Sequence, residues 1–430
     1  MNRRTLVELT LGLALLALPP VQLASQETEG PDTLALIRNV TVIDGTGSPG
    51  RPGLDVVIRH GLIDAVRPAT ENADFDGPVI DGSDRFLVPG LIDAHVHLSG
   101  STRDDTAQLL AWVLEGGVTS LRDMAGDART LAGIGEALIS GELTGPSLYY
   151  SALVAGPAFL SDPRLEAATV GYEPGAAPYM IPATADTDLA QALAMAKGTG
   201  ATGVKLYAAL DADLVRRVTD EAHRVGLQVW AHSAVFPAKP VEVLDAGVDG
   251  VSHAPYVIWE ADPPTPDFTL RAQGDFERIA ADGPEMGRVI EAMVRNATVL
   301  DPTLFVFDRE DSSDNAALRL AWGGAFTRRA LRAGVTIAAG TDGVGRPLAG
   351  ELPNVHREME LLVQVAGFTP LEAVVAATHG GARAIGAADQ IGRIEPGMTA
   401  DLVLLSEDPE QDIRNTRSIV HVFQRGRLVR

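Results

Sequence analysis

The run Val88-Pro89-Gly90-Leu91-Ile92-Asp93-Ala94-His95-Val96-His97 limits the chain more than any other stretch. Apolar residues lead into it, and Pro89-Gly90 marks a turn at its start. If Leu91 to His97 is extended, Asp93, His95 and His97 share one face and Ile92, Ala94 and Val96 the other. Two imidazoles one residue apart on a strand can grip one metal ion, with Asp93 orienting a ring from behind. The same alternation also suits a strand whose histidines merely face water. What lies downstream decides between the two.

Composition narrows the partners. The 430 residues are too many for one small core and suit one large domain with an accessory, or two domains. A net charge of −22 argues against nucleic acid or an anionic membrane surface, either of which needs a basic patch. A metal site can still be locally positive inside an acidic protein. With no cysteine there are no disulfides, no thiolate ligands and no cysteine nucleophile, so any metal is held by nitrogen and oxygen.

The first residues have the pattern of an export signal. Arg3-Arg4 precede an apolar stretch from Leu9 to Leu18, then Pro19-Pro20 and small residues at Ala24-Ser25. That stretch is too short to span a bilayer, and no later one is long enough. Residues 1–25 are therefore expected to be a cleaved signal peptide, making the protein periplasmic or secreted. The alternative is a cytoplasmic protein with a buried first helix.

From Leu34 to Asp81 short β-branched runs alternate with glycine-rich turns, and the pattern resumes at Ala400–Leu405 and Ile419–Val429. Strands at both ends predict one β-sandwich built from both termini, from residues 30–86 and 393–430. Between them, over 87–392, apolar β-like runs alternate with helical patterns. Val118–Asp123, Ser147–Ala152, Gly203–Tyr207, Gln228–His232, Gly247–His253, Ala297–Pro302 and Gly334–Asp342 join the His95/His97 strand to make eight units. That is the count of a (β/α)8 TIM barrel. An open doubly wound sheet is the alternative, but no glycine-rich phosphate loop follows the first strand. Two long connections, Leu153–Thr187 and Ala254–Pro284, leave strand ends and are expected to be lids.

In a barrel the active site lies at the C-terminal ends of the strands. Metal-binding side chains recur there: His232 closes the fifth strand, His253 the sixth and Asp342 the eighth. Lys205 lies within Gly203-Val204-Lys205-Leu206-Tyr207, where alternation turns it toward the barrel axis. A bare ammonium is costly there, and burial lowers a lysine's pKa. A neutral amine can combine with carbon dioxide to give an anionic carbamate whose two oxygens bridge two metal ions. The plain alternative is an ion pair with Asp93, Asp123 or Asp342. Two divalent ions bring four positive charges; carbamate, Asp342 and a bridging hydroxide cancel three, leaving a site able to polarise a neutral carbonyl.

The chain resembles the amidohydrolase superfamily, within it the secreted imidazolonepropionase-like and prolidase-like metal-dependent hydrolases. The resemblance spans nearly all of the chain after the signal. It rests on Ile37–Gly45, Val88–His97, Gly117–Asp123, Val204-Lys205, Glu221–Arg224, Gly340-Thr341-Asp342 and Gly392–Val403. It implies a distorted barrel with a composite β-sandwich and two divalent ions, usually zinc. By that analogy His95, His97 and Asp342 hold the more buried ion, His232 and His253 the more exposed one, and N6-carboxylated Lys205 bridges them. Tyr207-Ala208-Ala209-Leu210 stands where prolidase-like dipeptidases carry a glycine-serine-rich loop. A one-metal site lacking the lysine bridge is the alternative.

The expected reaction is hydrolysis of an amide or peptide-like C–N bond in a small molecule by metal-activated hydroxide. Asp342 shuttles the proton, and Tyr207 offers a hydrogen bond to the developing oxyanion or else caps the barrel wall. Cyclic amides, lactones and phosphotriesters are alternatives on the same site. An inactive barrel serving as a binding module is another, but it would lack one or more of the six ligands, and all six are present. The expected partner is a small-molecule substrate, in a homo-oligomer. His60, His223, His379 and His421 read as structural, and His356 and Asp301 as secondary candidates for substrate contact; of Arg122 and Asp123 alternation lets only one face inward, with a structural ion pair as the default role. Tyr256 and Trp259 are candidate lid residues.

Overall fold

The computed structural model describes residues 33–70, 74–98, 103–263, 268–309 and 314–430. The expected signal peptide lies outside the described residues. No helix among the described residues is long and apolar enough to cross a membrane.

The chain opens with β1 (Leu34–Val42), β2 (Arg51–Arg59), β3 (Leu62–Pro68), β4 (Val79–Asp81) and β5 (Phe86–Pro89). Its end returns to the same sheet, giving eight strands in which a C-terminal strand, Leu402–Leu405, pairs antiparallel with β5. The sheet is mainly antiparallel, although β1 runs parallel to both β4 and β5. It curls back on itself: Ile63 N donates to Met398 O and Ala400 N to Gly61 O, each at 2.8 Å. Ile37, Val40, Val56, Ile58, Leu87, Leu402, Leu404 and Phe423 fill its interior. Both termini thus build one unit with its own apolar core.

Pro89 and Gly90 hand the chain to the second sheet: β6 (Leu91–Val96), β7 (Val118–Asp123), β8 (Ser147–Ala155), β9 (Met180–Pro182), β10 (Gly203–Leu206), β11 (Gln228–His232), β12 (Gly250–Ser252) and β13 (Val299–Asp301). Seven of these run parallel in the order β13-β12-β11-β10-β8-β7-β6, and β9, inside the first long connection, pairs with the far end of β8. The eighth expected strand is extended but irregular. Ala338 N donates to Leu300 O on one side, and Ala94 N to Ala339 O on the other, each at 2.9 Å. Asp342 N reaches His95 O at 2.8 Å. The ring therefore closes.

Nearly every residue of these strands is buried, as a parallel sheet covered by helices on its outside demands. The covering helices carry their own stop and start signals. In Ala212–Arg224, Asp211 accepts a hydrogen bond from Leu214 N, and Leu214, Val215, Val218, Thr219 and Ala222 form the inward stripe. The barrel and its helices share one large apolar core.

Candidate metal centre

The six residues come from five strand ends and meet at one end of the barrel. His95 stands near the end of β6, with His97 just beyond it; Lys205 lies in β10, His232 ends β11, His253 follows β12, and Asp342 ends the irregular eighth strand. His97 Nε2 is 2.9 Å and His95 Nε2 3.6 Å from Asp342 Oδ1. Donor atoms of these three residues all lie within 4.8 Å of one another. The His253 ring is 5.0 Å from that of His95 and 4.9 Å from that of His232, centroid to centroid. His253 and Asp342 both adopt positive φ, 70° and 54°. Side chains avoid that region at a cost of about 1–3 kcal/mol, and such strain gathers where a site requires it.

Each deep imidazole is oriented from behind. His95 Nδ1 lies 2.7 Å from Asp301 Oδ2, His232 Nδ1 2.9 Å from Tyr207 O, and His253 Nδ1 2.8 Å from Thr303 Oγ1. With Nδ1 committed, Nε2 is the atom left to ligate. Burial, reinforced by neighbouring cationic groups, holds all three well below the usual histidine range, so they are neutral and present lone pairs. At His97 burial opposes charge, but Asp342 outweighs it and the pKa is raised. At Asp342 burial is likewise overcome, by His95 first and then His97 and His253, and the carboxyl is held well below its usual range.

Lys205 is fully buried, and its Nζ rests 3.1 Å from Ser252 Oγ. Among the described residues it forms no ion pair, so the expected alternative with Asp93, Asp123 or Asp342 does not arise. Burial, with the charge of Arg122 adding to it, lowers its pKa to about 7. The residues fit a divalent cation: neutral imidazoles, an ionised carboxylate, a readily neutralised amine and a buried Asp301 Oδ1 that no donor reaches.

Asp93 does not stand behind His95. The pairing of β6 with β7 slips between Asp93 and Val96, so strict alternation fails there. Asp93 instead accepts from Thr341 Oγ1 at 2.7 Å and from the backbone of Thr341 and His95. Its place is taken by Asp301, which the sequence offered only as a substrate contact. Asp301 is buried between His95 and Arg122 Nη2, at 2.7 and 3.4 Å, and is not among the residues lining the cavity above the histidines. The one legible hint was its position at a strand end, like the other site residues. Arg122 makes the expected structural ion pair, with Asp301. Arg122 also donates to Ala384 O and covers the Trp230 ring, while Asp123 accepts from Leu98 N and Gly126 N.

His356 is buried against Gly116 O and Thr416 Oγ1, away from the cavity. His223 pairs with Asp249 on the surface of its helix, and His421 binds Arg430 O in the terminal sheet. Above the histidines lies a cavity of about 290 Å³. His95, His97, His232, His253 and Asp342 line it together with Tyr207, Tyr256 and Arg271. Phe159, Leu165 and Ala168 from the first long connection, with Tyr256 and Arg271 from the second, supply much of the wall. Trp259 lies behind that wall, its Nε1 donating to Arg271 O at 2.7 Å. Arg271 was not foreseen, for its loop has no periodicity that would mark it.

Residues 86–429 match the model of the amidohydrolase family. The chain belongs to that family. It is 27% identical over 399 residues to an ochratoxinase of Aspergillus niger, covering 80% of this chain and 75% of that protein. An imidazolonepropionase of Streptomyces griseus is 26% identical over 377 residues, 79% of this chain and 80% of that one. The crystal structure of a Xaa-Pro dipeptidase with methionine in its active site superposes with a TM-score of 0.73 at 21% identity, covering 92% of this chain and 99% of that one. The family and these relatives support metal-dependent hydrolysis of a C–N bond.

Proposed function

We propose that the protein is a binuclear metal hydrolase of an amide or peptide-like bond in a small molecule, exported to the periplasm or beyond. The observation that carries the chemistry is the meeting of three neutral imidazoles, His97 and ionised Asp342 at the floor of one cavity, with Lys205 fully buried in β10. His95, His97 and Asp342 would hold one ion, His232 and His253 the other. Lys205, if its neutral amine adds to carbon dioxide and gives up a proton, would become a carbamate able to offer two further oxygens to the ions. Bound there, divalent cations such as zinc lower the pKa of water and polarise a carbonyl oxygen.

The chain's own groups do the rest. Asp342 is ionised throughout the working range, so its carboxylate accepts the proton of the attacking water and returns it to the leaving nitrogen. Tyr207, packed at 4.2 Å from His232 and 4.7 Å from Phe159, lines the cavity and offers its phenol to the developing oxyanion. Purified protein should contain two metal equivalents and hydrolyse members of an N-acyl amino acid and dipeptide panel. Lys205→Ala should lose metal and turnover, with short carboxylic acids restoring part of the rate. Unchanged metal content and rate in that variant would remove the bridging carbamate.

A further inference from the structure

The cavity wall carries one charge that hydrolysis of a neutral amide does not use. Apart from the histidines, its charged lining residues are Asp342 at the floor and Arg271 on the wall. Around them stand Met124, Ala125, Leu153, Phe159 and Leu165. The guanidinium lies 4.3 Å from the centre of the Phe268 ring and 5.7 Å from that of Tyr256. Phe268 is 5.2 Å from the His232 ring, and Tyr256 is 5.1 Å from the His253 ring. Arg271 therefore stands one aromatic ring beyond each of the two histidines of the more exposed ion.

Among the described residues no carboxylate pairs with Arg271. Its Nη1 donates to Phe268 O at 3.2 Å, and its Nε is buried with no partner. A cation in a part-apolar wall with no carboxylate beside it is costly, and an anion in the cavity would relieve it. The backbone beneath is fixed in advance. Arg271 N donates to Phe268 O at 3.1 Å, Trp259 Nε1 to Arg271 O at 2.7 Å, and Arg319 Nη1 to Ala272 O at 2.8 Å. The backbone that carries the side chain is thus set before any ligand arrives, and Phe268 and Tyr256 flank the guanidinium, which keeps the ordering cost of a specificity contact low.

We infer that Arg271 is the specificity residue of this site, binding a free carboxylate of the substrate while the scissile amide lies over the histidines. This rests on the hydrolase reading above and narrows it to acidic substrates with an apolar or aromatic portion: N-acylated apolar amino acids and related amide-linked acids. The carboxylate sits at the Arg271 fork, separated from the scissile carbonyl by the depth of one ring. The apolar portion meets Phe159, Leu165 and Met124. Planar guanidinium and carboxylate match in two parallel hydrogen bonds, a geometry that lysine does not reproduce.

Binding and turnover test this separately. By calorimetry on the metal-loaded protein, 3-phenylpropionate should bind more tightly than uncharged 3-phenylpropanol. Arg271→Gln should weaken the acid ~10–100-fold and leave the alcohol unchanged, the range expected for losing hydrogen bonds to a charged group. Arg271→Met, which keeps an apolar stem against Phe268 and Tyr256, should do the same and covers the case in which the Gln variant misfolds. Equal affinity for the acid in wild type and folded variants would overturn the assignment, since the carboxylate would then be held by metal alone. In turnover, N-acetyl-phenylalanine should be preferred over its primary amide through KM, and the preference should vanish in Arg271→Gln. A wild type that cleaves acyl amino acids and their amides equally well overturns the Arg271 role and leaves the hydrolase. A wild type that binds the acid through Arg271 yet cleaves no amide overturns the hydrolase and leaves the anion site.

Discussion

Asp342 is the residue where position and chemistry meet. Its positive φ swings the carboxylate away from the course of the eighth strand and onto the Nε2 atoms of His95 and His97. Because its pKa is lowered, it stays ionised at every pH at which the fold is useful, and so remains a proton acceptor. Asp342→Asn keeps the size and one ligating oxygen but cannot take a proton. Turnover should fall ~10²–10⁴-fold, the usual range for a general acid–base group, while much of the metal is retained. Single-turnover rates beside metal analysis check this. Substantial residual turnover with full metal would take the proton shuttle away from Asp342.

At the scale of elements, the irregular eighth strand does two jobs: it closes the ring and makes room for the support of His95. A Cβ on Gly340 would lie 2.4 Å from Asp301 Oδ1 and 2.8 Å from His95 Cβ. Gly340→Ala should therefore push Asp301 off the imidazole. Loss of such an outer partner typically weakens metal binding ~10–100-fold, and overpacking of this kind costs about 1–3 kcal/mol. Metal titration and thermal unfolding would show both, and a variant with wild-type metal affinity would mean that Asp301 does not orient His95. This pairing also marks how far the sequence could be read. The strands and their terminal ligands were legible because periodicity and strand-end position are local signals. Both long connections were also visible as candidate lids. The Asp301–His95 contact spans 206 positions and exists only once the ring is closed. The slip in β6 that turns Asp93 toward Thr341 likewise depends on pairing with β7, and no property of Leu91–His97 announces it. Arg271 was invisible for a different reason. It takes its meaning from Phe268, Tyr256 and the emptiness of the wall around it.

In the molecule as a whole, the barrel must be locked to the sheet built from the chain's ends, and His356 is one such lock. It sits on the helix Val355–Gln364, with Nε2 at 2.9 Å from Gly116 O at the foot of β7 and Nδ1 at 3.1 Å from Thr416 Oγ1, just before the C-terminal strand Ile419–Gln424. Burial first, aided by Arg417 and opposed by the Gly116 carbonyl and Glu360, lowers its pKa to about 4. An unfolded histidine titrates near 6.5, so between about pH 6.5 and 4 the unfolded chain binds a proton that the folded chain refuses. Stability from this group is therefore full above about pH 6.5 and is lost as pH falls toward 4. At about 1.4 kcal/mol per unit, the whole loss is about 3 kcal/mol. His356→Gln removes the titrating ring and keeps polar atoms at the joint. At pH 7 the variant should be the less stable protein, by about 1–2 kcal/mol for weakened hydrogen bonds. By pH 4.5 that gap should have narrowed by 2–3 kcal/mol, enough to close or reverse it. Other buried groups, Asp301 and Asp401 among them, titrate in the same window, but they are common to both proteins and cancel in the difference. Urea unfolding at the two pH values reads it directly. A gap that stays constant would mean that His356 takes up its proton at the same pH in the folded and unfolded chain, and that burial at this joint does not resist its charge.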